Sequence, residues 1–245
     1  MKNLINCLSL MMILFFVTHA AASQLPQSGQ TVLYANGDDG AIRAGITWPN
    51  PRFSDNRDGT FNDNLTGLVW SRDANTIKNH NPDFDGDATT GDGAVTWQHA
   101  LDYIKKLNSE KYLGYTDWRL PNLIELASLV HQGEAVNSLW LSGEGFYSIE
   151  QGSYWSSSSS MTIPRMAWSV INNTGPVGFS DKGSMGYVWL VRGGQAAAAV
   201  ALPQTGQSKC FDALGAHVAC KGTGQDGELR MGTAWPAPVS ATMAI

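Results

Sequence analysis

A short block occurs twice in this chain, and whatever lies between the two occurrences has to fold as a unit that they flank. Leu25-Pro26-Gln27-Ser28-Gly29-Gln30 returns as Leu202-Pro203-Gln204-Thr205-Gly206-Gln207. Gly37-Asp38-Asp39-Gly40-Ala41-Ile42-Arg43 returns as Gly224-Gln225-Asp226-Gly227-Glu228-Leu229-Arg230. Gly45-Ile46-Thr47-Trp48-Pro49-Asn50-Pro51 returns as Gly232-Thr233-Ala234-Trp235-Pro236-Ala237-Pro238. Matched blocks in one order mark a repeat, not chance composition. The second occurrence is longer, and its extra residues hold Cys210 and Cys220. The expected organisation is a leader over 1–22, a first extension over 23–51 and a core over 52–194. An alanine-rich linker over 195–201 and a second, partial extension over 202–245 complete it.

The leader reads as an export signal. Lys2 supplies the positive start, Leu8 to Val17 is almost wholly apolar, and Ala20-Ala21-Ala22 offers a small-residue cleavage site. The apolar run falls short of the ~20 residues a bilayer span needs. A lipoprotein reading through Cys7 fails because the apolar run follows that cysteine. The expectation is a secreted or periplasmic protein with no membrane span after cleavage. In that compartment Cys210 and Cys220 form a disulfide by default, since only His217 lies between them to build a metal site. Leu202-Pro203-Gln204-Thr205-Gly206 matches a cell-wall sorting signal, but the residues after it supply neither the apolar span nor the basic tail that sorting needs.

The net charge is -5 with 15% charged residues, and no dense Lys/Arg cluster is present. A nucleic-acid or heparin-type binder would carry one, so no nucleic-acid partner is expected. Nine tryptophans suit a loop-rich fold whose turns are pinned by large aromatics.

Within the core, Asp58-Gly59 and Thr66-Gly67 are turn dipeptides between β-prone pieces, which predicts a meander of two or three strands over Arg52–Trp70. An EF-hand register through Ser54, Asn56, Asp58 and Gly59 puts Leu65 where a bidentate Glu is required, so the hairpin reading is preferred. Asp83, Asp85, Asp87 and Asp92 form a second acidic loop. Alternate carboxylates can converge on calcium, and the same residues simply favour turns; both readings stay open. Thr96–Asn108 has helical spacing through Trp97, Ala100, Leu101, Ile104 and Leu107. Pro121–His131 is the second predicted helix, with Leu123, Leu126, Leu129 and Val130 inward. Lone histidines such as His99 and His131 are read as ordinary surface or core residues. The stretch Tyr115–Leu126 ends a loop, anchors it with Trp118 and starts that helix. Asn122 and Glu125 stand at capping-box spacing after Pro121.

Farther on the pattern turns to strands. Tyr154-Trp155 leads into Ser156–Ser160, Arg165–Ile171 alternates with Met166, Trp168 and Val170 on one face, and Tyr187–Val191 is apolar on both. No G-x-S-x-G elbow surrounds the serines. They are expected as an exposed strand edge or loop.

Asp55 to Trp70 resembles the opening signature of the bacterial Lcl C-terminal domain family, which includes the C-terminal region of the Legionella collagen-like adhesin. Trp97-Gln98-His99-Ala100-Leu101, Asp117-Trp118-Arg119-Leu120-Pro121-Asn122 with Glu125, Tyr154-Trp155-Ser156-Ser157, Ala167-Trp168 and Val191-Arg192 look like its later signatures, in order. The resemblance marks Trp70, Trp97, Trp118, Arg119, Pro121, Glu125, Trp155, Trp168 and Arg192 as structural hallmarks. A wider similarity, to the formylglycine-generating enzyme group, implies a C-type-lectin-like α+β fold: two helices, a small twisted, mostly antiparallel sheet and long loops. Its activity does not carry over, because the core from Arg52 to Gly194 contains no cysteine where that group uses a pair, and its scattered histidines do not provide the cluster that the related iron-dependent sulfoxide synthases need.

The expectation for function is therefore an exported, non-catalytic binding module, adhesin-like, for a cell-surface glycan or protein. A metal-dependent enzyme built on the Asp83–Asp92 loop, or a structural spacer in an envelope assembly, are the alternatives.

Overall fold

The computed structural model describes residues 25–86, 91–193 and 198–235, so the expected export signal over 1–22 lies outside the described residues. The turn dipeptides produce three antiparallel strands, β1 (Phe53–Asp55), β2 (Thr60–Asp63) and β3 (Leu68–Ser71). Gly59 makes the β1–β2 turn at φ +89°, a conformation open to glycine. The fourth strand of this sheet, β7 (Val191–Gly193), comes from the far end of the core and pairs Arg192 opposite Val69. Asp63 locks the meander. Its carboxylate accepts from Arg52 Nε (2.7 Å) and Nη2 (2.9 Å), from the Leu65 amide and from the Thr66 hydroxyl, all buried. Such a pair is costly to break because one removal strands the other charge.

Two helices were expected; the described residues hold six, with two 3₁₀ turns, in an α+β arrangement. Among them, α1 is Asp39–Ile42 and α2 is Thr76–His80. Helix α3 (Trp97–Glu110) runs close to its expected span, capped by Thr96 and closed by Lys111 in the left-handed region. The next helix is shorter than Pro121–His131: α4 spans Leu123–Ala127. Its continuation is ended by a competing side chain, since Asn137 Oδ1 takes the His131 amide and Asn137 Nδ2 donates to Leu129 O. Leu129 and Val130 stay buried, but in turns. Asn137 also opens α5 (Asn137–Gly143).

The second sheet has the order β4 (Ser153–Ser159), β5 (Met166–Ile171), β6 (Val177–Asp181), all antiparallel. Here the expectation of exposed serines is overturned. Ser156 to Ser160 are each at most 3% exposed. Serine hydroxyls are small enough to let backbone approach on both sides. Ser157 N–H donates to Pro121 O (2.8 Å), and Ser156 Oγ to Trp168 O (2.8 Å). On β5 the more deeply buried face is Ala167 and Ser169, while Met166 and Trp168 are half-open and Val170 is buried.

The apolar run before β7 divides the core. Trp189 and Val191 pack with Trp70, Leu126, Leu141 and Phe146 in one cluster. Val188 and Leu190, pointing the other way, join Trp97, Leu101, Trp118 and Trp155 in a second. The run was expected as a central strand. It instead bridges β4 once, Tyr187 to Tyr154, and enters the first sheet only at Val191, where β7 begins and a further single bridge reaches Arg119.

The two Leu-Pro-Gln segments adopt the same local form. Pro26 bridges Ile46, and Pro203 bridges Thr233, both in parallel. Helix α1 ends at Arg43 (φ 48°), and α6 (Asp226–Leu229) ends at Arg230 (φ 47°). Gln27 Nε2 donates to Arg43 O and Gln204 Nε2 to Arg230 O, each at 2.7 Å. The indoles of Trp48 and Trp235 donate to Gln27 O and Gln204 O. Gly40 and Gly227 leave no room for a Cβ, which would lie 2.0 Å from Val32 O and 2.3 Å from Lys209 O. The C-terminal segment adds a small loop that carries the hairpin β8 (Cys210–Phe211) and β9 (His217–Val218) and the Cys210–Cys220 disulfide.

Candidate functional site

The Tyr115–Leu126 stretch positions the site. Trp118 is buried, its indole donating to Tyr112 O (2.9 Å), and Asn108 on α3 clamps its backbone with both amide groups (2.8 Å each). The next residue, Arg119, points inward to a bidentate pair with Glu125 (2.6 and 2.8 Å) and reaches Gly193 O (3.1 Å). Glu125 accepts in turn from the Asn122 amide, and Asn122 Oδ1 accepts from the Glu125 amide, completing the capping box. Asn122 Nδ2 then donates to Met231 O (3.1 Å). This short stretch thus ties α4, β7 and the C-terminal segment together.

A cleft of about 490 Å³ opens beside this junction. One wall is Leu101, Ile104 and Trp118; the other is Gly224, Leu229 and Met231. Lys105, Asn108 and Asp117 supply polar groups around it. Next to it, Arg192 stacks 3.8 Å over the Tyr115 ring while Nε donates to Asp117 (2.7 Å). Tyr115 donates to Asp58 (2.6 Å), a bond that raises the phenol pKa. An apolar hollow of a few hundred Å³ with a few fixed polar groups is the ordinary form of a ligand site.

The C-terminal segment is held over the serine strand by side chains that sequence reasoning missed. Gln207 brackets Ser159, accepting its N–H (3.0 Å) and donating to its C=O (2.9 Å), as a neighbouring strand would. Asp226 accepts from Ser158 Oγ (2.7 Å) and Thr205 Oγ1 (2.5 Å). Lys182 is fully buried, donates to Phe211 O and Asp212 O (3.1 Å each), and sits 4.1 Å over the Trp97 ring. Burial pushes its pKa down to about 8, against a smaller upward pull from Asp212. Nothing local in the sequence pairs Lys182 with residues some thirty positions on.

The remaining marked residues fall in different places. Trp70, Trp97 and Trp155 are fully buried, and the last two donate their indoles to Ser156 O and Val95 O. Pro121 is buried at the start of α4, and Trp168 is half-buried, edge-on to Phe179. Of the acidic loop, Asp85 Oδ2 accepts the Gly91 and Gly93 amides, and Asp92 Oδ1 the Ala94 amide, while Asp83 is exposed. Asp87 lies outside the described residues. Among the described residues no three His, Cys, Asp or Glu side chains are grouped to hold a metal. Asp85 Oδ1 is buried without a hydrogen-bond partner among them.

The order of these landmarks, from the Gly59 turn through Trp97, the Trp118–Glu125 junction, Trp155 and Trp168 to Arg192, coincides with a family model. The Lcl C-terminal domain model matches residues 59–192, more than half of the chain. The chain belongs to the Lcl C-terminal domain family. No curated protein matches it. The match places the Leu101–Ile104–Trp118 wall of the cleft inside the Lcl C-terminal domain and the Gly224–Met231 wall outside it. Among the described residues no helix is long and apolar enough to cross a membrane.

Proposed function

We propose that this Lcl C-terminal domain protein is an exported, non-catalytic binding module that recognises a cell-surface glycan or protein. The observation that carries it is the cleft between α3, Trp118 and the C-terminal segment. Its apolar walls suit the face of a sugar ring or an apolar side chain. Lys105 and Asp117 bring charges of both signs to its lining, while Asn108 is held by its bonds to the Trp118 backbone. The resemblance to an adhesin's terminal domain points the same way, and the disulfide is compatible with an extracellular setting. The serine run, the one stretch suggestive of a nucleophile, is occupied in packing instead.

Leu229→Trp fills the cleft from its outer wall. Screened on glycan and surface-protein arrays, the wild-type protein is expected to retain ligands that this variant loses while its thermal unfolding is unchanged. Identical array profiles for the two proteins contradict the proposal. Calcium at the acidic loop is a second reading, favoured by the buried, unpartnered Asp85 Oδ1. It predicts that added calcium raises the Tm and that Asp85→Asn abolishes the rise; an unmoved wild-type Tm removes it.

A further inference from the structure

The two Leu-Pro-Gln segments share two faces, and each is seated on the core by a different one. The N-terminal segment docks through Gly29 and Trp48. Trp48 packs edge-on to His131 (4.7 Å between centroids) and against Trp140 (5.4 Å), with the Arg52 guanidinium 4.3 Å over its ring. Ser28 O accepts the Gln132 amide (2.9 Å), and a Cβ on Gly29 would strike the His131 ring at 2.7 Å. The C-terminal segment docks through the opposite face, with Leu202 and Phe211 buried. Its own version of the first face is left open. Among the described residues no atom lies within 4 Å of where a Cβ on Gly206 (φ +83°) would sit, and Trp235, held in the same pose by its indole bond, is 67% exposed.

We propose that the open Gly206–Trp235 face docks on the His131–Trp140 seat of a second copy of this chain, replacing that molecule's own Trp48. The occupant follows from the seat, which already holds this sequence in this geometry. Thr233 stands where the seated segment has Ile46, a modest loss of apolar contact. The displaced partner is the lightly held one, because Leu25 (61% exposed), Tyr34 (81%) and Ile42 (63%) of the N-terminal segment touch little. The C-terminal donor stays anchored by Gln207, Asp226 and Lys182. The contact is heterologous and therefore builds head-to-tail chains of molecules. The buried patch is small, so association of the native chain is weak. It is weakened further because most seats are filled by the molecule's own Trp48.

Sedimentation of the native chain and two full-length variants tests this. Trp48→Ala vacates the seat and is expected to tighten self-association about tenfold or more, since the competent fraction rises. The double variant Trp48→Ala/Trp235→Ala returns to monomer. Mixed with native chain, it forms a 1:1 complex, being an acceptor without a donor. A monomeric Trp48→Ala, or association that survives removal of Trp235, overturns the proposal. If Trp48→Ala does not fold, Ile46→Ser loosens the same segment more gently and carries the same two outcomes.

Discussion

The N-terminal and C-terminal segments have like sequences and like internal hydrogen bonds, yet their side chains meet different surroundings. Phe211 is 7% exposed; its counterpart Tyr34 is 81% exposed. Leu202 is 8% exposed against 61% for Leu25, whereas the order reverses at the tryptophans, with Trp235 open and Trp48 packed. Local sequence specifies the module: the four-residue helix, the left-handed arginine and the glycine at the close approach are the same in both. Which face is buried is decided elsewhere, by whether the module meets the serine strand or the turn after α4. Internal hydrogen bonds set shape, and burial of a few apolar side chains sets the orientation of docking.

That contrast can be broken by paired substitutions. The largest effect is expected at Phe211→Ala, which should cost about 3–5 kcal/mol in denaturant unfolding, while Tyr34→Ala stays within about 0.5 kcal/mol. Equal costs would mean that the two segments are seated alike. Next in size, Trp48→Ala should cost about 2 kcal/mol and Trp235→Ala no more than about 0.5 kcal/mol, the opposite ordering of N- and C-terminal sites.

A smaller effect separates the segments by pH. Lys182 serves only the C-terminal one, and its folded pKa of about 8 lies below the ordinary lysine value. The unfolded chain therefore holds the proton more tightly between pH 8 and the usual lysine range. Stability from this group rises with pH across that window, and the cost of burying the charge is fully present below it. Lys182→Met should remove that rise from a Tm-versus-pH profile. A profile of unchanged slope would show that the ammonium is not desolvated there.

The parts of this structure legible in the sequence are those whose partners lie close along the chain. Asn122 and Glu125 cap α4 across three residues, Asp58-Gly59 turns the meander, and the Trp97–Leu107 spacing states α3 with its buried face. Burial of Ser156–Ser160 was not legible, because Gln207 and Asp226, which cover them, come some fifty or more residues later. The end of α4 was missed for the same reason in miniature: Asn137 takes the amide that the helix would have used. The cleft combines both cases, with one wall on the periodic face of α3 and the other from the C-terminal segment. Arg119 read as architecture, and its pairing with Glu125 and Gly193 O places it at the junction from which the cleft opens.

Residue-resolved hydrogen exchange on the native chain tests the opposed docking most directly. The Ser159 and Phe211 amides, bonded to Gln207 and Gln225 under the C-terminal segment, should exchange only with global unfolding. The amides of exposed Tyr34 and Ala35, bonded to the Asp38 side chain in the N-terminal one, should exchange far faster, with Gln132 between the two. Equal protection of Tyr34 and Phe211, or fast exchange at Ser159, would contradict the claim that one module is seated on this core by opposite faces.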